Sequence, residues 1–349
     1  MDRELCKIAG ITFMRYAAPC SNFCKFCSAG VKKFDNVTFD AFARVVRRFV
    51  GWSAERDENP PTSAAMQYTH AYLSYERSKE FLDLCPPGRY EPLPLQMNGC
   101  RFMPDDELAD LFDRHRRAGY PKYNITICGD RRLHDRWVGR AGEFESFARM
   151  ARVAAPLGYL RIENMFLSRS SIPVLDSVME TLDTFPGPSK RQIVPFMYIG
   201  NARNLEDERV TAEDLLAISP AARPFIEWDP ERPDFTALRG FDSETTWVDR
   251  YANGYRRRDV QERYLMVRVT EENVEELLTR DCGEVFEEYA ERYLGVFEQI
   301  PEFDELCRRY GDPGNPRLYR GFELERKWVE HFVKENLWDR RADYEISSF

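Results

Sequence analysis

The 349-residue chain has only four histidines, no second group of closely spaced cysteines and no long apolar run. Zinc ribbons and fingers pair two Cys or His units around one tetrahedral ion. Here Cys6, Cys85, Cys100, Cys128, Cys282 and Cys307 are scattered singly, as small buried apolar residues are. No stretch reaches transmembrane length. Residues 1–8 lack the basic start and apolar core of a secretory signal. A cytoplasmic protein with no membrane partner is expected, and nine cysteines outside any disulfide framework read as a reducing compartment. Low-complexity runs are missing as well; with 43% hydrophobic and 13% aromatic residues the chain can build an ordinary globular core. A formal charge of −9 argues against a broad nucleic-acid face. The basic runs Arg114-His115-Arg116-Arg117 and Arg256-Arg257-Arg258 read as solvated helix surface.

What is present is Cys20-Ser-Asn-Phe-Cys24-Lys-Phe-Cys27, a Cys-x₃-Cys-x₂-Cys loop after the apolar-rich run 7–18. Three thiolates on one short loop can hold three irons of a [4Fe–4S] cube and leave the fourth iron open to a substrate or cofactor. Zinc is the alternative, and it requires a remote fourth ligand.

Around this loop the pattern alternates between short apolar runs and amphipathic ones. After the run 7–18, strands are expected at 65–73, 93–98, 123–128, 159–167 and 193–199. Helices are expected at 39–50, 77–84, 104–117, 144–155, 172–182 and from 212 to 218. Repeated β-α units call for parallel strands with helical crossovers, hence an α/β fold, a partial (β/α)₆ TIM-like barrel. Beyond Pro220 the pattern changes. Residues 224–240 read as irregular connection, 264–269 as a strand, and 274–278, 285–300, 303–310 and 322–337 as helical runs. The expected division is a barrel over 1–218 and a mainly helical C-terminal cap over 219–349. Such a cap excludes water from reactive chemistry beneath it, with Trp228, Trp247, Tyr251, Tyr255, Trp328 and Trp338 as its bulk.

The cysteine loop, with Phe26 just before its last thiol, resembles the motif of the radical S-adenosylmethionine (radical SAM) enzymes. Further segments resemble the peptide-modifying branch of that superfamily, in the expected order: Gln96-Met-Asn98-Gly99; Cys128-Gly-Asp130 with His134-Asp135-Arg136 and Gly142-Glu-Phe144; and Arg161…Asn164 with Ser168-Arg169-Ser170. The resemblance covers about residues 7–218. It implies a [4Fe–4S] cluster on Cys20, Cys24 and Cys27, with S-adenosylmethionine (SAM) on the open iron. It further implies a reductant such as flavodoxin or ferredoxin, and a 5′-deoxyadenosyl radical that abstracts hydrogen. Two features depart from the pattern. The Gly-Gly-Glu triplet that receives the SAM amino group is replaced by Leu73-Ser74-Tyr75-Glu76, and the C-terminal cysteine-rich domain for auxiliary clusters is missing.

The resemblance also directs attention to residues just after strands, where α/β barrels place their active sites. Ser74, Tyr75 and Glu76 are candidates for the SAM ammonium. Arg136 and Arg140 are candidates for its carboxylate, the alternative being ion pairs with Asp135 or Glu143. Asn98, Asp130 and Asn164 are candidates for the ribose, and Phe26, Tyr198 and Ile199 for the adenine. His134 is a candidate proton relay or a structural turn. Three functions follow: a radical SAM enzyme acting on a peptide or natural-product precursor, one acting on a small biosynthetic intermediate, or a non-catalytic Fe–S or zinc protein.

Overall fold

A computed structural model of the chain describes residues 7–16, 20–27, 37–67, 70–84, 94–196, 198, 200–226, 238–240, 262–297, 299–301, 303–311, 317–320, 323–324, 327–329 and 331–332. In chain order the elements are β1 (Lys7–Tyr16), α1 (Phe39–Glu55), β2 (Thr62–Gln67), α2 (Tyr75–Asp83), β3 (Leu95–Gln96), α3 (Asp105–Ala118), β4 (Lys122–Ile127), α4 (Arg131–Val138) and α5 (Glu143–Ala154). They continue as β5 (Leu160–Leu167), α6 (Leu175–Asp183), β6 (Ser189–Pro195), α7 (Ala212–Leu216), β7 (Leu238–Gly240), β8 (Glu262–Arg268), α8 (Val274–Thr279), α9 (Cys282–Phe297), α10 (Phe303–Tyr310) and β9 (Leu318–Arg320). Trp228, Trp247, Tyr251, Tyr255, Trp338, Ile199 and the basic run at 256–258 lie outside the described residues.

The strands form two parallel sheets, β2-β1-β8 and β3-β4-β5-β6, and a small antiparallel pair of β7 with β9. Among the described residues the large sheets do not close into a barrel. Parallel strands need helical crossovers, so one face of each sheet is covered. Ile11 and Phe13 of β1 turn toward α1, whose Phe42, Val45, Val46 and Phe49 recur at helical spacing and are buried. Thr38 caps that helix by accepting from the Ala41 N–H at 3.2 Å. On β5, Met165 and Leu167 join the helix-packed core, while Ile162, Asn164 and Phe166 occupy the opposite face and are half-buried.

Strand boundaries moved where polar residues hide in the sheet. The second strand, expected over 65–73, is Thr62–Gln67. Thr62 donates its hydroxyl to the Phe49 carbonyl at 3.2 Å, and Ser63 pairs with Thr12 at 2.9 Å. The sixth, expected over 193–199, is Ser189–Pro195. Its Arg191 is drawn in by Glu163 at 2.8 Å, and the same carboxylate holds Arg161, also at 2.8 Å. A hydrophobicity pattern scores these residues as loop; satisfied hydrogen bonds and ion pairs let them be strand.

Residues 262–290, read from sequence as part of a cap, are continuous with the β/α layer. β8 pairs in parallel with β1 on the side opposite β2, Leu265 and Val267 enter the main core, and Arg48 of α1 donates to the Leu277 carbonyl of α8 at 2.8 Å. Farther on, Leu306, Tyr319, Leu324, Trp328 and Val329 form a separate small core.

Candidate active site

The cysteine loop follows β1, and segments at the exits of β3, β4 and β6 hold its backbone. The Ser21 N–H donates to the Gly99 carbonyl at 2.8 Å. Those of Phe23 and Lys25 donate to the carbonyls of Val138 and Trp137 at the C-terminal end of α4, at 2.8 and 2.9 Å. Asn201, after β6, donates its N–H to the Cys27 carbonyl at 2.9 Å and its side-chain amide to that of Cys24 at 3.3 Å. Gly99 sits at φ +75°, and a Cβ there would stand 2.2 Å from Cys20 Sγ, so only glycine lets this backbone lie against the first thiol.

Beneath the loop is Glu143, a fully buried residue at the start of α5 that the sequence offered only as an ion-pair partner for Arg136 or Arg140. Its Oε1 accepts from Asn22 Nδ2 and from the Gly99 N–H, each at 3.0 Å, and its Oε2 accepts from Arg140 at 3.1 Å. Burial raises this carboxyl above the ordinary range, and the three donors partly offset that. Nothing local marks Glu143 as more than an acid in the first turn of a helix. Arg140 also donates to the Cys100 carbonyl at 2.6 Å. It is therefore a brace between two loops rather than an open receptor for a carboxylate.

The loop's Phe26 packs edge-on against Phe166 and Phe196, with ring centroids 5.3 and 5.2 Å away. This ties the loop to the face of the second sheet opposite the main core, because Phe166 follows Asn164 by two residues on β5. Thr126, Asn164 and Gln192 lie side by side in register across β4, β5 and β6, and Gln192 donates to Asn164 Oδ1. Thr126 and Gln192 were not anticipated. Their parity is readable only once the strands are placed.

The other candidates lie at different places in the fold. Asn98 spans to β4, accepting from the Thr126 N–H at 2.6 Å and donating to its carbonyl at 3.0 Å, and so extends the short β3 ladder. Asp130 caps α4, a helix absent from the sequence reading, by accepting from the Leu133 N–H at 2.8 Å. Arg136 is exposed on α4. Tyr198 is a core residue, with the Arg209 guanidinium 4.0 Å above its ring and its own N–H donated to Glu323 at 3.1 Å. Ser74 caps α2 by accepting from the Arg77 N–H at 3.3 Å, and Glu76 is exposed in its first turn. Backbone N–H donation and Ser74 hold the Glu76 carboxyl below its ordinary range. Tyr75 lies under Arg117, 5.5 Å from the guanidinium.

His134 does not face the thiols as a relay. It is fully buried, with its ring edge-on to Phe144 and Phe147 at 5.9 and 5.1 Å, and Nδ1 accepts from the Cys128 N–H at 3.2 Å. Burial lowers its pKa to about 4. The unfolded chain takes up this proton near pH 6.5 and the folded chain does not, so stability falls as pH drops from about 6.5 toward 4, by about 3 kcal/mol in all. His134→Asn keeps an acceptor for Cys128 and removes the titration. Its urea midpoint is expected to fall less steeply than the parent's over that window, and parallel curves would exclude the assignment.

Cys20, Cys24 and Cys27 are partly buried thiols outside any disulfide. Burial and then the neighbouring Cys20 and Cys27 push the Cys24 thiol well up. Packed thiolates repel, and only cations at the site make the deprotonated set favourable. Among the described residues no three His, Cys, Asp or Glu side chains converge on a single-ion site. A cube binds each thiolate through a different iron and does not require such convergence. The donor set therefore fits a three-thiolate cluster.

The sequence matches no protein-family model and no curated protein. Similar solved structures include native anSMEcpe with bound AdoMet, at 12% identity and TM-score 0.48 over 94% of this chain and 98% of that one. SuiB of Streptococcus suis bound to precursor peptide SuiA is similar at 10% identity and TM-score 0.48 over 75% of this chain and 58% of that one. Coproporphyrinogen III oxidase HemN from Escherichia coli, described as a radical SAM enzyme, is similar at 12% identity and TM-score 0.38. The match to HemN spans 62% of this chain and about half (48%) of that one. These likenesses concern the outline of the fold, and the chemistry of the site rests on its own residues.

Proposed function

We propose that the chain is a radical SAM enzyme whose substrate is a peptide or natural-product precursor. The observation that carries this reading is the loop itself: three thiols at Cys-x₃-Cys-x₂-Cys spacing at the exit of a parallel strand, its backbone held from three other strand exits. When bound and reduced, a [4Fe–4S] cluster there supplies the electron that splits SAM to methionine and a 5′-deoxyadenosyl radical.

The chain's own residues then have distinct tasks. Cys20, Cys24 and Cys27 hold the irons, and Gly99, Asn201 and the end of α4 keep those thiols in place. Phe26 offers an aromatic wall. Asn164, with Thr126 and Gln192, offers hydroxyl and amide groups to the ribose. Ser74 and Glu76 lie beyond β2, at the same end of the sheets as the cysteine loop, and remain the candidates for the ammonium. Residues 1–218 carry this chemistry and 219–349 complete the protein around it. The peptide preference rests on the sequence resemblance at the fourth and fifth strands, and a small biosynthetic substrate is its alternative.

The reduced, reconstituted protein is expected to release 5′-deoxyadenosine and methionine from SAM, detected by mass spectrometry. An intact reduced cluster that forms none overturns the proposal. Glu76→Ala is expected to weaken SAM binding by about 10–150-fold, the worth of one charge-assisted hydrogen bond to a partly buried ammonium. Isothermal titration reads this, and unchanged affinity returns Glu76 to helix capping alone.

A further inference from the structure

The outward side of the cysteine loop carries an aromatic and basic patch that the proposed chemistry does not use. Phe23 is 70% exposed and Phe102 is 44% exposed. Neither is displayed by a loose backbone. Phe23 is fixed through the Val138 carbonyl, and a Cβ on Gly139 would stand 2.9 Å from the Phe23 carbonyl oxygen. Phe102 is capped by the Arg140 guanidinium, 3.6 Å from its ring.

Exposed cations lie on the same loop as Phe23 and on the helix it is tied to, and the acids of that helix and of the start of α5 are already engaged. Arg132 and Arg136, four residues apart on α4, are exposed, as is Lys25. Arg136 immediately precedes Trp137, whose carbonyl accepts the Lys25 N–H. Among the described residues no carboxylate pairs with any of the three. By contrast, Asp135 is occupied by the N–H groups of Gly142 and Phe144 at 2.6 and 3.0 Å, Glu145 by Arg131 at 2.8 Å, and Glu143 is buried. On a chain of formal charge −9 this leaves a local positive face around exposed rings, directly outside the thiol loop.

We infer that this face, centred on Phe23, Lys25, Arg132 and Arg136, is the docking surface for an acidic one-electron carrier protein. The inference rests on the cluster reading above. Phe26 turns inward to the sheet, so substrate chemistry belongs to the inner side of the loop and an electron donor is free to approach from the outer one. Opposite charge raises the encounter rate and orients the partner, while an aromatic centre inside a charged rim is the usual anatomy of a recognition patch. In the step itself the carrier loses one electron, the oxidised [4Fe–4S]²⁺ cluster gains it to become [4Fe–4S]⁺, and no bond is formed or broken.

The test uses the reconstituted full chain and two reductants, flavodoxin hydroquinone and dithionite, with the bleaching of cluster absorbance followed by stopped flow at low and high salt. Arg132→Glu/Arg136→Glu and Phe23→Ser are the variants; Arg56→Glu, in the turn entering β2 at the opposite end of the sheets, is the control. With flavodoxin the double charge reversal is expected to slow bleaching at least about tenfold and to abolish the fall in rate that salt causes in the parent. Phe23→Ser is expected to slow it at every salt concentration, and all proteins should bleach alike with dithionite. Equal flavodoxin rates in parent and variants overturn the docking surface alone. So does a parent dimer that the charge reversal splits, because the face then serves a second copy of the chain. A parent that binds no iron overturns the cluster reading and this surface with it.

Discussion

Replacing Cys20, Cys24 and Cys27 together with alanine is expected to take iron from about four atoms per chain, with a matching amount of sulfide, to background after anaerobic reconstitution. The physical reason is that thiolate is the ligand, and the nearby Cys100 and Cys128 are buried thiols whose burial pushes them up and keeps them protonated. Cys282→Ala is the matched control, because that thiol is buried in the main core with Val285 and Leu277 and is expected to leave the iron count unchanged. Colorimetric iron and sulfide analysis, with the brown absorbance and its bleaching by dithionite, reads the result. A full complement of iron in the triple variant would move the cluster elsewhere, and zinc without iron in the parent would end the radical reading.

Loss of the carboxylate at position 143 is expected to have the next largest effect. Glu143→Ala strands the Arg140 guanidinium, the Asn22 amide and the Gly99 N–H in a buried site, and removal of one partner from such a pair costs about 3–5 kcal/mol. Glu143→Gln keeps an acceptor for Asn22 and Gly99 and loses only the charge opposite Arg140, so a smaller loss of about 1–3 kcal/mol is expected. Denaturant midpoints rank the two. The cysteine loop hangs from the same carboxylate through Asn22 and Gly99, so the alanine variant is also expected to hold its iron less tightly against a chelator. A midpoint like the parent's would mean that water reaches these donors and that Glu143 is no anchor.

Phe13 and Phe49 illustrate how far chain order alone carries the fold. Each falls on an apolar periodicity that predicts its element, and their rings meet at 4.7 Å because a right-handed β-α unit packs its helix back on its strand. Strands four and five, the helices after strands one and three, and α5 were legible within a few residues for the same reason, whereas α4 was not. β8 was legible as a strand but not as the partner of β1, since parallel pairing joins segments far apart in sequence and leaves no local mark. Arg191 and Ser189 were read as loop because charge and hydroxyl hide inside a sheet only when a partner such as Glu163 is there to receive them.

The site divides in the same way. The three thiols were determined by the sequence itself, because their spacing places them on one loop whatever the rest of the chain does. Arg140 and Arg136 were equivalent as sequence, two guanidiniums shortly after the fourth strand. Only the tertiary structure separated them: the αL turn at Gly139 directs Arg140 inward onto Glu143 and leaves Arg136 in solvent. Likewise His134, shortly after the fourth strand, and Asn164, within the fifth, were both polar candidates in the sequence. The packing of Phe144 and Phe147 made the first a core imidazole, and the alternation of β5 turned the second to the face opposite the main core. Spacing along the chain sets which donors share a loop; burial, charge and the direction a side chain faces depend on residues distant in sequence, and these the folded structure alone decided.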